Sequence, residues 1–88
     1  MAEVSQRIQA HVRRVYGEDA ERVLAQLEAA RAEKQAPERL HAAIVILARG
    51  ELERVEWACR IDWRDAFVWS GLGGGPWERT VEEHFGPA

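Results

Sequence analysis

The chain has 88 residues, 47% of them hydrophobic and 31% charged, with seven glycines and three prolines, which excludes a disordered, collagenous or low-complexity chain and leaves one soluble globular domain. The formal net charge is −3 and is spread evenly along the sequence, so there is no basic half or stripe of the kind a phosphate backbone attracts. Cys59 is the only cysteine, which excludes an internal disulfide and fits a reducing cytosol, where a lone thiol sits as a small buried hydrophobe.

A domain this short buries only about 60% of its unfolded surface, so its core is thin and self-association is one way to add to it. The segment Met1 to Ile8 has no apolar h-region, and the longest strongly apolar run, Ala42 to Ala48, spans seven residues. That is far short of the roughly 20 a membrane span needs. A cytoplasmic protein with neither signal peptide nor membrane segment is expected.

The first helix is expected over about Glu3 to Tyr16, because Val4, Ile8, His11, Val12 and Val15 recur at helical spacing and Gly17 is a natural terminator. A second begins near Glu18 or Asp19, whose carboxylates suit the positive end of the helix dipole. It buries Ala20, Val23, Leu24, Leu27 and Ala30, and carries Glu18/Arg22 and Glu28/Arg31 as outer charge pairs. It fades through Glu33, Lys34 and Gln35. Pro37 opens a third helix at its first position. That helix is apolar nearly all round through Ala42, Val45 and Ile46, which makes it the central one, and Arg49 and Gly50 close it. A fourth helix, Glu51 to about Arg60, turns Leu52, Val55, Ala58 and Cys59 inward. Asp62 is an N-cap with Asp65 three positions later, so a fifth helix runs from about Trp63 to Ser70 with Trp63, Ala66 and Phe67 inward. The glycine-rich run Gly71 to Gly75 ends it, and Pro76 restarts a short last helix from Trp77 to about His84.

No segment alternates with period two between turn residues, so no strand is expected. The expected fold is all-α: a compact single-domain bundle of about five helices over residues 1–70, followed at 71–88 by a Gly-rich linker and a short C-terminal helix that packs on the core or swings from it.

The turn Gly50-Glu-Leu-Glu-Arg54 and the later cap Asp62-Trp-Arg-Asp65 resemble those of a family of small bacterial all-α proteins to which no activity is assigned. The resemblance covers about residues 40–70. It implies a bacterial, cytoplasmic, helical protein and transfers no functional residue.

The side chains able to do chemistry are few. Glu38 and His41 form a Glu-x-x-His step of the kind di-iron bundles use, but those sites need two such steps and two further glutamates, and Val81 stands three residues before His84. No metal or cofactor is expected. His11 lies on the apolar stripe of the first helix, and His41 shares a face with Val45 and Arg49; each reads as a histidine of the core or its boundary. Cys59 lies on the buried side of its helix, where a thiol is held protonated. Ser5 and Ser70 lack a nucleophile elbow. The run Gly71-x-Gly-x-Gly75 follows no strand and ends in neither nucleotide-binding signature, so no catalytic residue is assigned. Helices three and four have roughly the lengths of a DNA-binding helix-turn-helix. The would-be reading helix, however, carries Glu51, Glu53 and Glu56 where phosphates would lie.

Tryptophan is the feature left over. Trp57, Trp63, Trp69 and Trp77 fall within 21 residues, and Trp57, Val68 and Trp69 point away from the inward faces of their helices. Tryptophan is enriched at the energetic centres of protein interfaces. The sequence therefore leads to a non-enzymatic protein that works by protein contact, with itself or with a bacterial partner, through Trp57, Val68, Trp69, Leu72, Trp77 and Phe85. A small nucleic-acid-binding regulator is the alternative reading, and a small-ligand binder or enzyme the third.

Overall fold

The computed structural model describes residues 3–87 and starts its first helix, α1 (Gln6–Tyr16), three residues later than the apolar pattern suggested. Ser5 stays extended (φ −64°, ψ 154°) as the N-cap. Val4, still outside the helix, is nonetheless buried, and the Gln9 side-chain amide donates to its carbonyl at 2.7 Å. A hydrophobic residue just ahead of a helix commonly fixes the entry angle of the chain in this way. Gly17 terminates α1 with a positive φ of 52° and opens a single 3-10 turn, Gly17–Asp19, before α2 (Ala20–Ala29).

The second helix stops at Ala29, well before the Glu33–Gln35 stretch over which it was expected to fade. Leu27 is its last fully buried residue, and beyond it only the small, half-buried Ala30 and Ala32 pack against the core before the next helix. Arg31 donates instead to the carbonyls of Glu28 (2.9 Å) and Ala30 (3.2 Å), satisfying acceptors that the end of the helix leaves open. The expected surface pairs are also re-partnered: Arg22 reaches Glu56 at 3.3 Å, across to another helix, rather than Glu18.

Pro37 begins α3 (Pro37–Ala48) at its first position, and eight of its twelve residues are buried. A helix apolar on most sides is enclosed by its neighbours, and α3 is packed by α1, α4 (Leu52–Arg60), α5 (Trp63–Ser70) and α6 (Trp77–Phe85). Arg49 takes the left-handed conformation (φ 51°) that ends it. The core runs from Ile8 and Val12 on α1 through Val23 and Leu27 on α2 to Ile44 on α3 and Val55 on α4, each at most 1% exposed. Burying an aliphatic side chain of this size stabilises the fold by about 1.5–3 kcal/mol. Six α-helices and no strand occur among the described residues, so the domain is all-α. No helix is long and apolar enough to cross a membrane among them.

The C-terminal segment is bound down at both ends. Gly71 is left-handed (φ 85°), its N–H donates to the Val68 carbonyl and the N–H of Leu72 donates to the Phe67 carbonyl at 2.8 Å. This is the paired hydrogen-bond pattern that closes a helix and brings the residue after the glycine back onto its last turn. Leu72 is thereby fully buried. Arg39 then donates from Nε and Nη2 to the Leu72 carbonyl (2.9 and 2.7 Å) and from Nη1 to Gln35 Oε1 (3.0 Å). At the far end Arg7 makes a two-point ion pair with Glu38 (2.7 and 2.6 Å) and donates its remaining Nη1 to the Gly86 carbonyl at 2.9 Å. Between these clamps Val81 of α6 enters the core at 0% exposure. The segment after Ser70 packs on α1 and α3.

Candidate functional site

Helix α4 turns Val55 and Ala58 into the core and α5 turns Ala66, Phe67 and Ser70 inward. At 100° per residue that arrangement throws Trp57 to the far side of α4, and Val68 and Trp69 to the outer sides of α5. The placement of α5 is set at its start by Asp62, whose carboxylate accepts the Arg64 backbone N–H at 2.8 Å. The described residues give Asp65 no reciprocal bond, so only half of the expected capping pattern forms.

The two outward tryptophans meet. Their rings lie 6.1 Å apart between centres and within 3° of parallel, the offset stacking that aromatic pairs favour. Trp57 remains 39% exposed, Trp69 56% and Val68 68%. The Arg54 guanidinium sits 5.1 Å from the Trp57 ring centre while its Nε donates to the Leu47 carbonyl at 2.9 Å, so the ring has one neighbour held by the backbone of α3. Helical spacing sets Arg54 on the Trp57 side of its helix, but the contact itself was not expected from the sequence. A basic residue three positions before a tryptophan on one helix face is the signal that could have found it.

The other three residues read from the sequence as interface lie elsewhere. Leu72 is sealed in the core and presents no surface. A glycine on either side suggested a flexible exposed linker, but Gly71 is the helix terminator that turns Leu72 inward. Trp77 is half-buried 5.7 Å from the Arg39 guanidinium, which lies 4.3 Å over Phe67. Phe85 is half-buried with its ring edge-on to His11, 4.9 Å between centres. The segment 71–87 therefore packs against other parts of the core and leaves the Trp57–Trp69 stack open.

His41 is completely buried and neither ring nitrogen makes a hydrogen bond. Burial holds its imidazole below the ordinary histidine range, against the weaker opposing pull of the Leu27 carbonyl and the carboxylates of Glu28 and Glu38. The Arg7 guanidinium keeps Glu38 below the usual carboxylate range, so the Glu-x-x-His step is split between an ion pair and the core. Burial pushes the half-buried Cys59 thiol up to about 11, away from the thiolate a nucleophile needs. Among the described residues no group of three or more His, Cys, Asp or Glu side chains is placed to hold a metal ion.

On α4, Glu56 takes up both Arg22 (3.3 Å) and Arg60 (3.6 Å). No protein-family model, no curated protein and no solved structure matches the chain.

Proposed function

We propose that the protein is a non-enzymatic helical module that acts through protein contact, and that the Trp57–Val68–Trp69 face pairs with a second copy of the same chain. The observation that carries this reading is the stack of two large rings left open to solvent on neighbouring helices. Four large hydrophobic side chains are exposed among the described residues, and three of them, Trp57, Val68 and Trp69, lie on α4 and α5. Covering them in a contact removes apolar area from water at roughly 25 cal/mol per Å2, and the rings are already ordered by each other. Tryptophan in such a position is a common energetic centre of an interface.

A second copy is the occupant that the surrounding charges favour. A two-fold contact brings one patch against itself and needs self-complementary charge. The residues beside the rings are of both signs: Arg54 over Trp57, against Glu53 and Asp65 one turn before Trp57 and Trp69 on their helices. A helical domain with so thin a core also gains from a shared one. The lone protonated thiol and the resemblance of residues 40–70 fit a bacterial cytosol. Nucleic acid is disfavoured because the acidic α4 holds its neighbouring arginines in ion pairs with Glu56.

Light scattering on the size-exclusion peak tests the reading. A dimer that dissociates on dilution, and that Trp57→Ala or Trp69→Ala converts to a monomer of unchanged helicity, is the expected result. Full-length wild-type protein that stays monomeric at high concentration contradicts it.

A further inference from the structure

The chain leaves an open groove of about 330 Å3 between α1, the end of α3 and α6. Its volume lies at the low end of the range for small-molecule sites. The floor and walls are apolar: Val15 from α1, Val45 and Ile46 from α3, and Phe85 from α6. Val15 is the fourth of the exposed large hydrophobics, 42% open on a helix whose other large apolar residues, Ile8, Val12 and Tyr16, are buried.

Every ionisable side chain lining the groove is basic: His11, Arg49 and His84. Arg14 adds a fourth, with Nη2 at 3.3 Å from His11 Nδ1. No carboxylate lines it, although the chain as a whole carries a net charge of −3. Arg49 makes no ion pair among the described residues. It also sits at φ 51°, a left-handed conformation that is unfavourable for a residue other than glycine. A glycine there would end the helix more easily and would bring no charge to the groove. Burial first, and then Arg14 and His84, press the His11 imidazole towards its neutral form, so the fixed positive charge at the groove is that of Arg49, with Arg14 beside it, and neither has a carboxylate partner among the described residues.

We infer that the groove bounded by His11, Arg49 and His84 binds a small amphiphilic anion, an apolar body that lies on Val15, Ile46 and Phe85 and carries one carboxylate against Arg49. The interaction is charge-assisted at one end and hydrophobic at the other, and it is independent of the Trp57–Trp69 face.

Octanoate is the probe, with octanol as its neutral counterpart, followed by two-dimensional NMR on the full chain. Saturable shifts at Val15, Ile46, Arg49 and Phe85 with a dissociation constant on the order of 10⁻⁴–10⁻³ M are expected. Octanol should bind at least about tenfold more weakly, since it lacks the charge-assisted contact. Arg49→Asn removes the cation with a residue that accepts the left-handed backbone, and should weaken octanoate binding by about tenfold while the melting temperature holds. Val15→Glu, a surface change that brings a carboxylate to the groove wall, should do the same. Equal binding of octanoate and octanol, octanoate affinity indifferent to both substitutions, or the absence of saturable shifts overturns the inference. So does binding to phosphatidylglycerol vesicles without binding of the soluble carboxylate, which would assign the basic groove to a lipid surface.

Discussion

Two pairs of tryptophans, drawn from the same 21 residues, have opposite fates. Trp63 lies edge-on to Phe67, 5.3 Å between ring centres, under the Arg64 guanidinium at 4.6 Å. Trp77 lies beside Arg39, whose donors are committed to the Leu72 carbonyl. Trp57 and Trp69 have chiefly one another and Arg54. The rings are chemically identical, so the difference comes from what reaches them. The segment after α5 is turned by Gly71 and held by Arg39 on the side of α3 and Phe67, and it covers that side only. Trp77 is half-buried where Arg39 anchors the returning segment through the Leu72 carbonyl, whereas no returning segment among the described residues lies over Trp57 and Trp69.

The largest effect expected from breaking the covered side is Leu72→Ala. Leu72 is fully buried, and removing such a side chain leaves a cavity that costs about 2–5 kcal/mol; urea denaturation should show the midpoint falling. Arg39→Ala comes next. It strips two donors from the Leu72 carbonyl and the cation from above Phe67, a loss of about 2–3 kcal/mol. Arg39→Lys should recover little of it, because an ammonium does not reproduce the planar fork.

His41 gives a smaller, pH-dependent effect. Its imidazole is held below the ordinary value of about 6.5 when folded. The unfolded chain therefore takes up the proton first, and stability that is full above about pH 6.5 declines as the pH falls below it, by at most about 1.4 kcal/mol per pH unit for this group. Urea midpoints from pH 7.5 down to 5 should trace that decline. His41→Leu should flatten it in part and be neutral or stabilising at pH 7, since an unpartnered buried polar group is replaced by an apolar one. His11, shifted in the same direction, leaves a residual slope. On the exposed side, Trp69→Ala should change stability by less than about 1 kcal/mol while abolishing self-association. That separation of stability from assembly is the sharpest form of the comparison.

Much of the architecture is legible in the sequence because it depends on local rules. Pro37 starts α3, Arg49 and Gly50 end it, Asp62 caps α5, and the all-round apolar pattern of residues 42–48 marks the central helix. The outward set of Trp57, Val68 and Trp69 follows from helical angle alone, but their stacking does not, because it requires the relative placement of α4 and α5. The early end of α2 was hidden because Arg31 to Ala36 contains no breaker; the helix stops soon after its last large buried side chain, Leu27. Leu72 was misread because its two flanking glycines suggest a linker, whereas a glycine followed by a leucine after a helix also fits a closing turn. The clamps made by Arg7, Arg39 and Arg54 are not legible in the sequence, which does not say which way a long flexible side chain reaches. The groove at His11 and Arg49 joins segments far apart in the chain, and no local pattern announces it.

The central claim is that the open tryptophan stack is where a second copy binds. Molar mass by light scattering, taken from about 1 µM to 1 mM on the wild type beside Trp57→Ala, tests it most directly. The account predicts a wild-type mass that rises from one chain to two across that range and a variant that stays at one chain. A wild type that remains a single chain at the highest concentration, or a variant that dimerises as well as the wild type, contradicts it.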